Sequence, residues 1–189
     1  EPIDWNKELV ELTLGGEGIR TLNAEEYVML LCTYGTQNMW SRLSWVADVA
    51  ALLKRETLDW NRVISLALAS GGMCMLVMAV ILTHMLCDSH IPLPLQTWVN
   101  RDRRCWVHAK RVADAHMGDL LFNPKDDIHR AIFHIRCRER IRDRIHYFIH
   151  RLLQPSMNDY AAVSLPSALY PLYYLVRPIR LISKALCRI

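Results

Sequence analysis

The sequence predicts a mainly α-helical protein, a helical bundle with one short N-terminal β-hairpin. Residues 9–22 contain two short segments suited to strands around Gly15-Gly16-Glu17-Gly18, a pattern typical of a hairpin. Beyond Asn23 apolar residues recur at helical spacing, and no other segment resembles a strand. Because a lone hairpin is marginally stable in water, we expect it to pack on the helices or to extend a sheet from outside this chain.

Two capping signals mark where helices begin. Asn23 suits an N-cap, and Glu26 stands three residues further on, as in a capping box. Asp59 precedes a third helical segment in the same way. These signals and the apolar spacing predict helices over residues 23–32 and beyond, 39–54, 60–70 and 97–121.

Residues 63–87 carry no formal charge, and a run of this length is long enough to cross a membrane. However, Gly71-Gly72 divides the run into two pieces, each the length of an ordinary buried helix. Ser65, Ser70, Thr83 and His84 also dilute its apolar character. We therefore favour two core helices here; the alternative is a membrane-associated protein built on residues 63–87, which would need detergent for extraction.

A long helix is predicted over residues 125–153, between Pro124 and Pro155. Its apolar side chains change direction by roughly 120° partway along, at about 100° per residue. Either the helix bends near residues 136–140, or it packs against two different surfaces. A final helix is expected from about Pro166.

Composition places the chain among globular proteins and limits its chemistry. The six cysteines include no C-x-x-C pair, which argues against a zinc knuckle or a disulfide framework. We expect the thiols to be reduced, which indicates a cytoplasmic location, and nothing near residue 1 resembles a signal peptide. Residues 1–100 hold 6 Lys/Arg and 11 Asp/Glu, whereas residues 101–189 hold 17 and 8. The basic half either faces an anionic partner or neutralises the acidic half.

Catalytic motifs are absent from the sequence. It contains no G-x-G-x-x-G, P-loop, G-x-S-x-G or H-E-x-x-H pattern. It also lacks the D-x-D or D-x-E that, on a strand after a Gly-Ser turn, would supply carboxylates for Mg²⁺. Asp126 and Asp127 are adjacent and suit the start of a helix instead. His146 and His150 lack a third ligand nearby, so a packing role is favoured.

Four arginines are the best candidates for binding an anion. On a continuous helix they would lie within an arc of about 80°, a row suited to phosphate. The alternative is a solvated face with Glu139 and Asp143 between the arginines. No motif predicts sequence-specific DNA binding. The four residues are Arg136, Arg140, Arg144 and Arg151.

Two segments carry a resemblance to a known family. Residues 31–50, LCTYGTQNMWSRLSWVADVA, resemble the L-C-x-H-G-x-x-H-x-W-x-R-L-x-W-x-x-D-x-A helix pair of an uncharacterised nucleotidyltransferase family found in bacterial biosynthetic clusters. Residues 174–180, YLVRPIR, are similar to its closing Y-x-x-R-P-x-R segment. Tyr34 and Asn38 stand where the motif has histidines, and the motif residues retained include Trp40, Arg42, Asp48, Tyr174, Arg177 and Arg180.

The resemblance implies the C-terminal part of a larger enzyme. Residues 1–22 would then link to an upstream catalytic domain that holds the Gly-Ser turn and the metal-binding carboxylates, and residues 23–189 would form one helical domain. The implied reaction is Mg²⁺-dependent transfer of a nucleoside monophosphate from an NTP to an unknown acceptor. This chain would hold no cofactor and would be inactive alone; a Gly-Ser turn and D-x-D encoded upstream of Glu1 would support this hypothesis.

In that scheme the helical part shapes the acceptor side and contacts a phosphate-bearing substrate. Trp40, Asp48 and Tyr174 would have structural or polar roles. The alternative is a stand-alone, non-catalytic interaction module with a basic face for phosphate or a partner. The residues predicted to contact phosphate are Arg42, Arg136, Arg140, Arg144, Arg177 and Arg180.

Overall fold

The fold is mainly α-helical with an N-terminal hairpin, as predicted. The computed structural model describes residues 9–55, 57–117 and 127–153, and residues 160, 166, 170, 172–174, 178 and 179. The chain divides into two compact units, Glu1–Arg140 and Ile141–Ile189. The described elements are β1 (Val10–Leu14), β2 (Glu17–Thr21), α1 (Ala24–Gln37), α2 (Leu43–Leu53), α3 (Trp60–Ser70), α4 (Met73–Cys87), α5 (Leu93–Arg101), α6 (Arg103–Met117), α7 (Asp127–Arg136) and α8 (Ile141–Leu153).

The hairpin pairs β1 and β2 as antiparallel strands, with Leu12 opposite Ile19. Both side chains are exposed, and so is every other residue of the two strands except the half-buried Thr21. The hairpin therefore does not bury its apolar side chains against the described helices.

The predicted caps are present. Asn23 Oδ1 accepts a hydrogen bond of 2.9 Å from the Glu26 backbone N–H, and Asp59 caps α3 in the same way. Helix α3 ends at Gly71, whose φ of 70° lies in the left-handed region that glycine tolerates. Gly72 then donates its N–H to the Ala67 carbonyl at 2.8 Å, which closes a Schellman motif and ends the helix.

Helix α4 forms the centre of the core. It contacts α1, α2, α3, α5 and α6, and every residue from Met73 to Thr83 is buried. A helix that is apolar on all sides is stable only when neighbours surround it, as they do here. The division of residues 63–87 at Gly71-Gly72 is thus confirmed. None of the described helices has the length and apolar character needed to cross a membrane.

Two of the predicted helices were wrong in their boundaries. Helix α2 begins at Leu43 and not at residue 39, because Met39 and Trp40 have φ values of 56° and 52° that no α-helix accepts. The segment predicted as one helix over 97–121 is two helices, α5 and α6, separated at Asp102. Asp102 accepts the Arg104 backbone N–H at 3.0 Å and so begins α6.

The long helix over 125–153 is also interrupted, because α7 ends at Arg136 and α8 begins at Ile141. Of the two alternatives, the break near residues 136–140 is the one observed. Phe133 of α7 packs edge-on against His108 of α6, with ring centres 5.7 Å apart, which ties α7 to the core. The final helix predicted from about Pro166 lies largely outside the described residues.

Candidate functional site

The segment that carries the family motif forms a turn with a buried centre, residues 34–45, which we call the motif turn. Trp40 is fully buried, and its indole lies on α1 where a Cβ at Gly35 would be only 2.6 Å from the ring. The backbone N–H of Trp40 donates to the Gly35 carbonyl at 2.7 Å. His116 of α6 donates from Nε2 to the Trp40 carbonyl at 2.6 Å. Trp40 therefore has a structural role, fixing α1 and α6 around the turn.

The outer side of the motif turn is an exposed aromatic and cationic cluster. The rings of Tyr34 and Trp45 meet edge-to-face with centres 5.2 Å apart. Arg42 Cζ lies 5.7 Å from the Trp45 ring centre, within cation–π range. Asn38 donates from Nδ2 to the Tyr34 carbonyl at 2.9 Å, so it closes the end of α1. Asp48 is exposed further along α2.

The predicted row of arginines does not form one helical face, because the break at residues 137–140 separates its members. Arg136 is exposed at the end of α7, while Arg144 and Arg151 belong to α8 in the second unit. Arg140 donates from Nη2 to the Leu68 carbonyl at 2.6 Å. A cation there stabilises the C-terminal end of α3.

The remaining predicted residues are only partly described. Tyr174 is exposed. Arg177 and Arg180 lie outside the described residues. The phosphate-binding role suggested for the arginines stays a prediction.

A second group of arginines, which the sequence analysis missed, lines a cavity of about 460 Å³. The cavity lies where the end of α5, the beginning of α6 and the beginning of α4 meet, and we call it the arginine pocket. Its polar and aromatic lining includes Arg101, Arg103, Arg104, Asp102, Glu139 and Trp98.

One arginine of this pocket is held by a carboxylate, and two are not. Arg104 donates from Nε and Nη2 to the two oxygens of Asp102 at 3.1 and 3.0 Å. This hydrogen-bonded pair lowers the pKa of the Asp102 carboxyl. Arg101 and Arg103 are exposed and make no ion pair with any residue in the described part of the chain. Their guanidinium groups are therefore available to an anion.

Glu139 places a carboxylate at the beginning of α4. Desolvation raises the pKa of Glu139, and a hydrogen bond from the Cys74 backbone N–H opposes that rise. Gly72, the N-cap of α4, has no side chain to satisfy the first N–H groups, and the Glu139 carboxylate is close enough to this helix start for the Cys74 N–H to affect its pKa. An anion entering the pocket must therefore compete with Glu139 for the start of α4.

Two thiols complete the pocket wall. Cys74 Sγ lies 3.2 Å from Cys105 Sγ, and the Cys105 thiol also donates to the Cys74 carbonyl at 3.7 Å. The neighbouring Cys105 and Cys137 thiols lower the pKa of Cys74, and the pKa of each of these two partners is raised. Nearby, desolvation lowers the pKa of His108, which favours the neutral imidazole. Among the described residues, no three His, Cys, Asp or Glu side chains have a geometry that could hold a metal ion.

Comparison with known proteins shows a similarity over the first half of the chain. Residues 2–88 match the family model of an uncharacterised nucleotidyltransferase. The resemblance stated from the sequence is confirmed over this region. No curated protein and no solved structure matches the chain.

The nucleotidyltransferase match includes the hairpin, α1 to α4 and the whole motif turn. Of the arginine pocket it includes only the beginning of α4, while the arginines lie beyond it. The Arg101-Asp102-Arg103-Arg104 run was visible in the sequence. It was overlooked because it fell inside one predicted helix, although Asp102 has the residue type of an N-cap.

Proposed function

We propose that this chain is the helical, substrate-binding part of a nucleotidyltransferase-like protein that transfers a nucleoside monophosphate from an NTP to an acceptor. The observation that carries this proposal is the family match over residues 2–88. In the proposal the arginine pocket binds a phosphate-bearing group of one substrate, on the acceptor side of the reaction.

The charges of the pocket support a phosphate ligand. Arg101 and Arg103 present planar guanidinium groups, which bind phosphate oxygens in pairs. Asp102 fixes the orientation of Arg104 and leaves its other N–H groups unused by that pair. An anion bound here would neutralise arginines that already lie close together, so the pocket would need little reorganisation on binding.

The size and the wall of the pocket support an organic ligand that carries the phosphate. A volume of 460 Å³ falls within the range of about 300–1,000 Å³ typical of small-molecule sites. Trp98, half-buried at the end of α5, provides an aromatic surface beside the arginines. Aromatic rings in this position can pack against a base or a sugar.

The pocket carboxylates do not suit Mg²⁺. Both oxygens of Asp102 are bound to Arg104, and Glu139 alone does not provide the several oxygen ligands that hard cations require. We therefore assign the metal-binding carboxylates and the NTP to the domain that the resemblance places upstream. This chain would bind and orient its substrate while the chemistry occurs elsewhere.

Calorimetric titration of the 189-residue chain with inorganic triphosphate, a polyanion that probes the phosphate-binding arginines without a nucleoside, tests the pocket. The Arg101→Gln/Arg103→Gln double variant is expected to weaken binding on the order of ten-fold or more, because hydrogen bonds to charged groups contribute about 1.5–3 kcal/mol each. The matched control is Lys54→Gln/Arg55→Gln, which removes the same charge from an exposed site after α2. Equal effects of the two double variants, or no saturable binding by the wild type, would overturn the phosphate assignment.

A separate experiment tests whether catalysis requires an upstream domain. The purified chain is expected to release no pyrophosphate from any of the four common NTPs in the presence of Mg²⁺. Metal-dependent pyrophosphate release by this chain would show that catalysis does not need an upstream domain.

A further inference from the structure

Three cysteines that are far apart in the sequence meet beside the arginine pocket. Cys74 is the second residue of α4, Cys105 is the third residue of α6, and Cys137 follows α7. The Cys74 and Cys105 sulfurs are 3.2 Å apart, and both residues line the pocket. Cys74 and Cys105 both belong to helices that pack against each other, so their contact is fixed by the core.

The surroundings of Cys74 favour its thiolate. The Cys105 sulfur lies 3.2 Å from that of Cys74, the Cys105 thiol donates to the Cys74 carbonyl, and the first turn of a helix stabilises a negative charge. Arg104 adds positive charge, while Asp102 opposes the thiolate. A thiolate with a neighbouring thiol is the arrangement found in redox-sensitive cysteine pairs.

We propose that Cys74 and Cys105 form a reversible disulfide when hydrogen peroxide enters the arginine pocket. The proposal does not depend on the function proposed above. Peroxide is close to water in size, and the pocket leads it to Cys74, whose exposed fraction is 5%. Cys137 is near Cys74 but does not line the pocket, so we assign Cys105 as the partner.

The reaction balances without any further reactant. The Cys74 thiolate attacks one peroxide oxygen, an S–O bond forms, the O–O bond breaks, and the departing hydroxide takes up a proton to become water. Cys105 then loses its proton and attacks the Cys74 sulfenic acid, so that an S–S bond forms and the S–O bond breaks. The released hydroxide combines with that proton. Two thiols are oxidised, and one peroxide is reduced to two waters.

The change in geometry is small, and the change in charge is local. A disulfide requires the two sulfurs to approach from 3.2 Å to about 2.05 Å, a movement that side-chain rotation and a slight helix shift can supply. Oxidation also removes the thiolate charge next to Arg104. The oxidised pocket is therefore more positive than the reduced one.

The experiment treats the reduced 189-residue chain with a small excess of peroxide, blocks the remaining thiols in denaturant with N-ethylmaleimide, and maps a non-reducing digest by mass spectrometry. We expect a Cys74–Cys105 cross-linked peptide that dithiothreitol removes. Cys74 should react at least about ten-fold faster than Cys32, since rate follows thiolate content. Burial raises the pKa of the Cys32 thiol to about 12, which makes it the internal reference.

Two variants separate the roles of the neighbouring thiols. In Cys105→Ser the oxidation of Cys74 should stop at the sulfenic acid, which dimedone captures, whereas Cys137→Ser should still form the disulfide. Circular dichroism confirms that each variant is folded, and the wild-type digest decides the proposal even if one is not. Reaction of Cys74 no faster than that of Cys32, or a Cys74–Cys137 link in the wild type, would overturn it.

Discussion

The motif turn and the arginine pocket lie in the same compact unit but are built in opposite ways. The motif turn carries the residues that resemble the nucleotidyltransferase family, and its centre is occupied by Trp40, a fully buried side chain in contact with Gly35. The pocket carries no motif, and its arginines lie beyond the family match. Two of those arginines nevertheless have no carboxylate partner among the described residues.

This difference indicates that the motif residues at the centre of the turn have a structural role, whereas the charges that suit a ligand lie in the arginine pocket. Trp40 and Gly35 maintain a local backbone geometry, in which two successive non-glycine residues hold left-handed φ values. Such a conformation persists only when surrounding contacts enforce it. The chemistry that suits a phosphate is instead assembled from three helices. Four substitutions test this separation of structure from binding.

The largest expected effect is that of Trp40→Ala. Removing a fully buried indole should lower the free energy of unfolding by about 3–5 kcal/mol, because the cavity cannot collapse around the fixed turn. Urea denaturation measures the change. Tyr34→Ala, at a half-exposed side chain of the same turn, is the control, and it should cost far less. Similar losses for both variants would show that Trp40 does not organise the turn.

Gly35→Ala should be destabilising by about 1–3 kcal/mol, the cost typical of overpacking. In an ordinary helix interior the same change would be stabilising, but here the new Cβ would meet the Trp40 ring at 2.6 Å. A double-mutant cycle with Trp40→Ala isolates the cause. The penalty should disappear in the Trp40→Ala background, and a penalty that persists there would assign it to the backbone.

Glu139→Gln should strengthen triphosphate binding by about three- to ten-fold, because it removes a negative charge that competes for the pocket. Since burial raises the pKa of Glu139, lowering the pH through that raised value neutralises the carboxylate. Wild-type affinity should then rise toward that of the variant, and the ratio of the two affinities should approach one.

Calorimetry at several pH values measures this ratio. Protonation of the triphosphate changes both affinities by the same factor, so it does not change their ratio. Glu17→Gln in the exposed hairpin is the charge-matched control. A ratio that is independent of pH would mean that Glu139 does not compete with the anion.

Arg42→Ala is expected to have the smallest effect on stability, about 0.5–1 kcal/mol, since it removes one exposed cation–π contact with Trp45. Urea denaturation measures it, with Arg55→Ala as the control at an exposed site. Triphosphate titration of the same variant tests the phosphate role predicted for Arg42. A loss of affinity as large as that of Arg101→Gln/Arg103→Gln would extend the phosphate site to the motif turn.

Local signals in the sequence predicted much of the fold. Local residue patterns reveal features that depend on residues close in sequence. These are the hairpin, the caps at Asn23 and Asp59 and the division at Gly71. The start of α2 was misplaced because contacts of Trp40 with α1 and α6 override helix propensity at residues 39 and 40. The change of direction in the apolar residues of 125–153 did indicate the break between α7 and α8.

By itself the sequence determined the mainly α-helical class, most capping positions and the family resemblance of the first half, because these depend on short-range patterns. Only the tertiary structure decided which charges and thiols come together. It separated the predicted arginine row at residues 137–140, brought Arg101, Arg103 and Arg104 to one pocket, and placed Cys74 against Cys105. Such groups meet because helices that are distant in sequence pack together, and no local pattern specifies which of these helices come into contact.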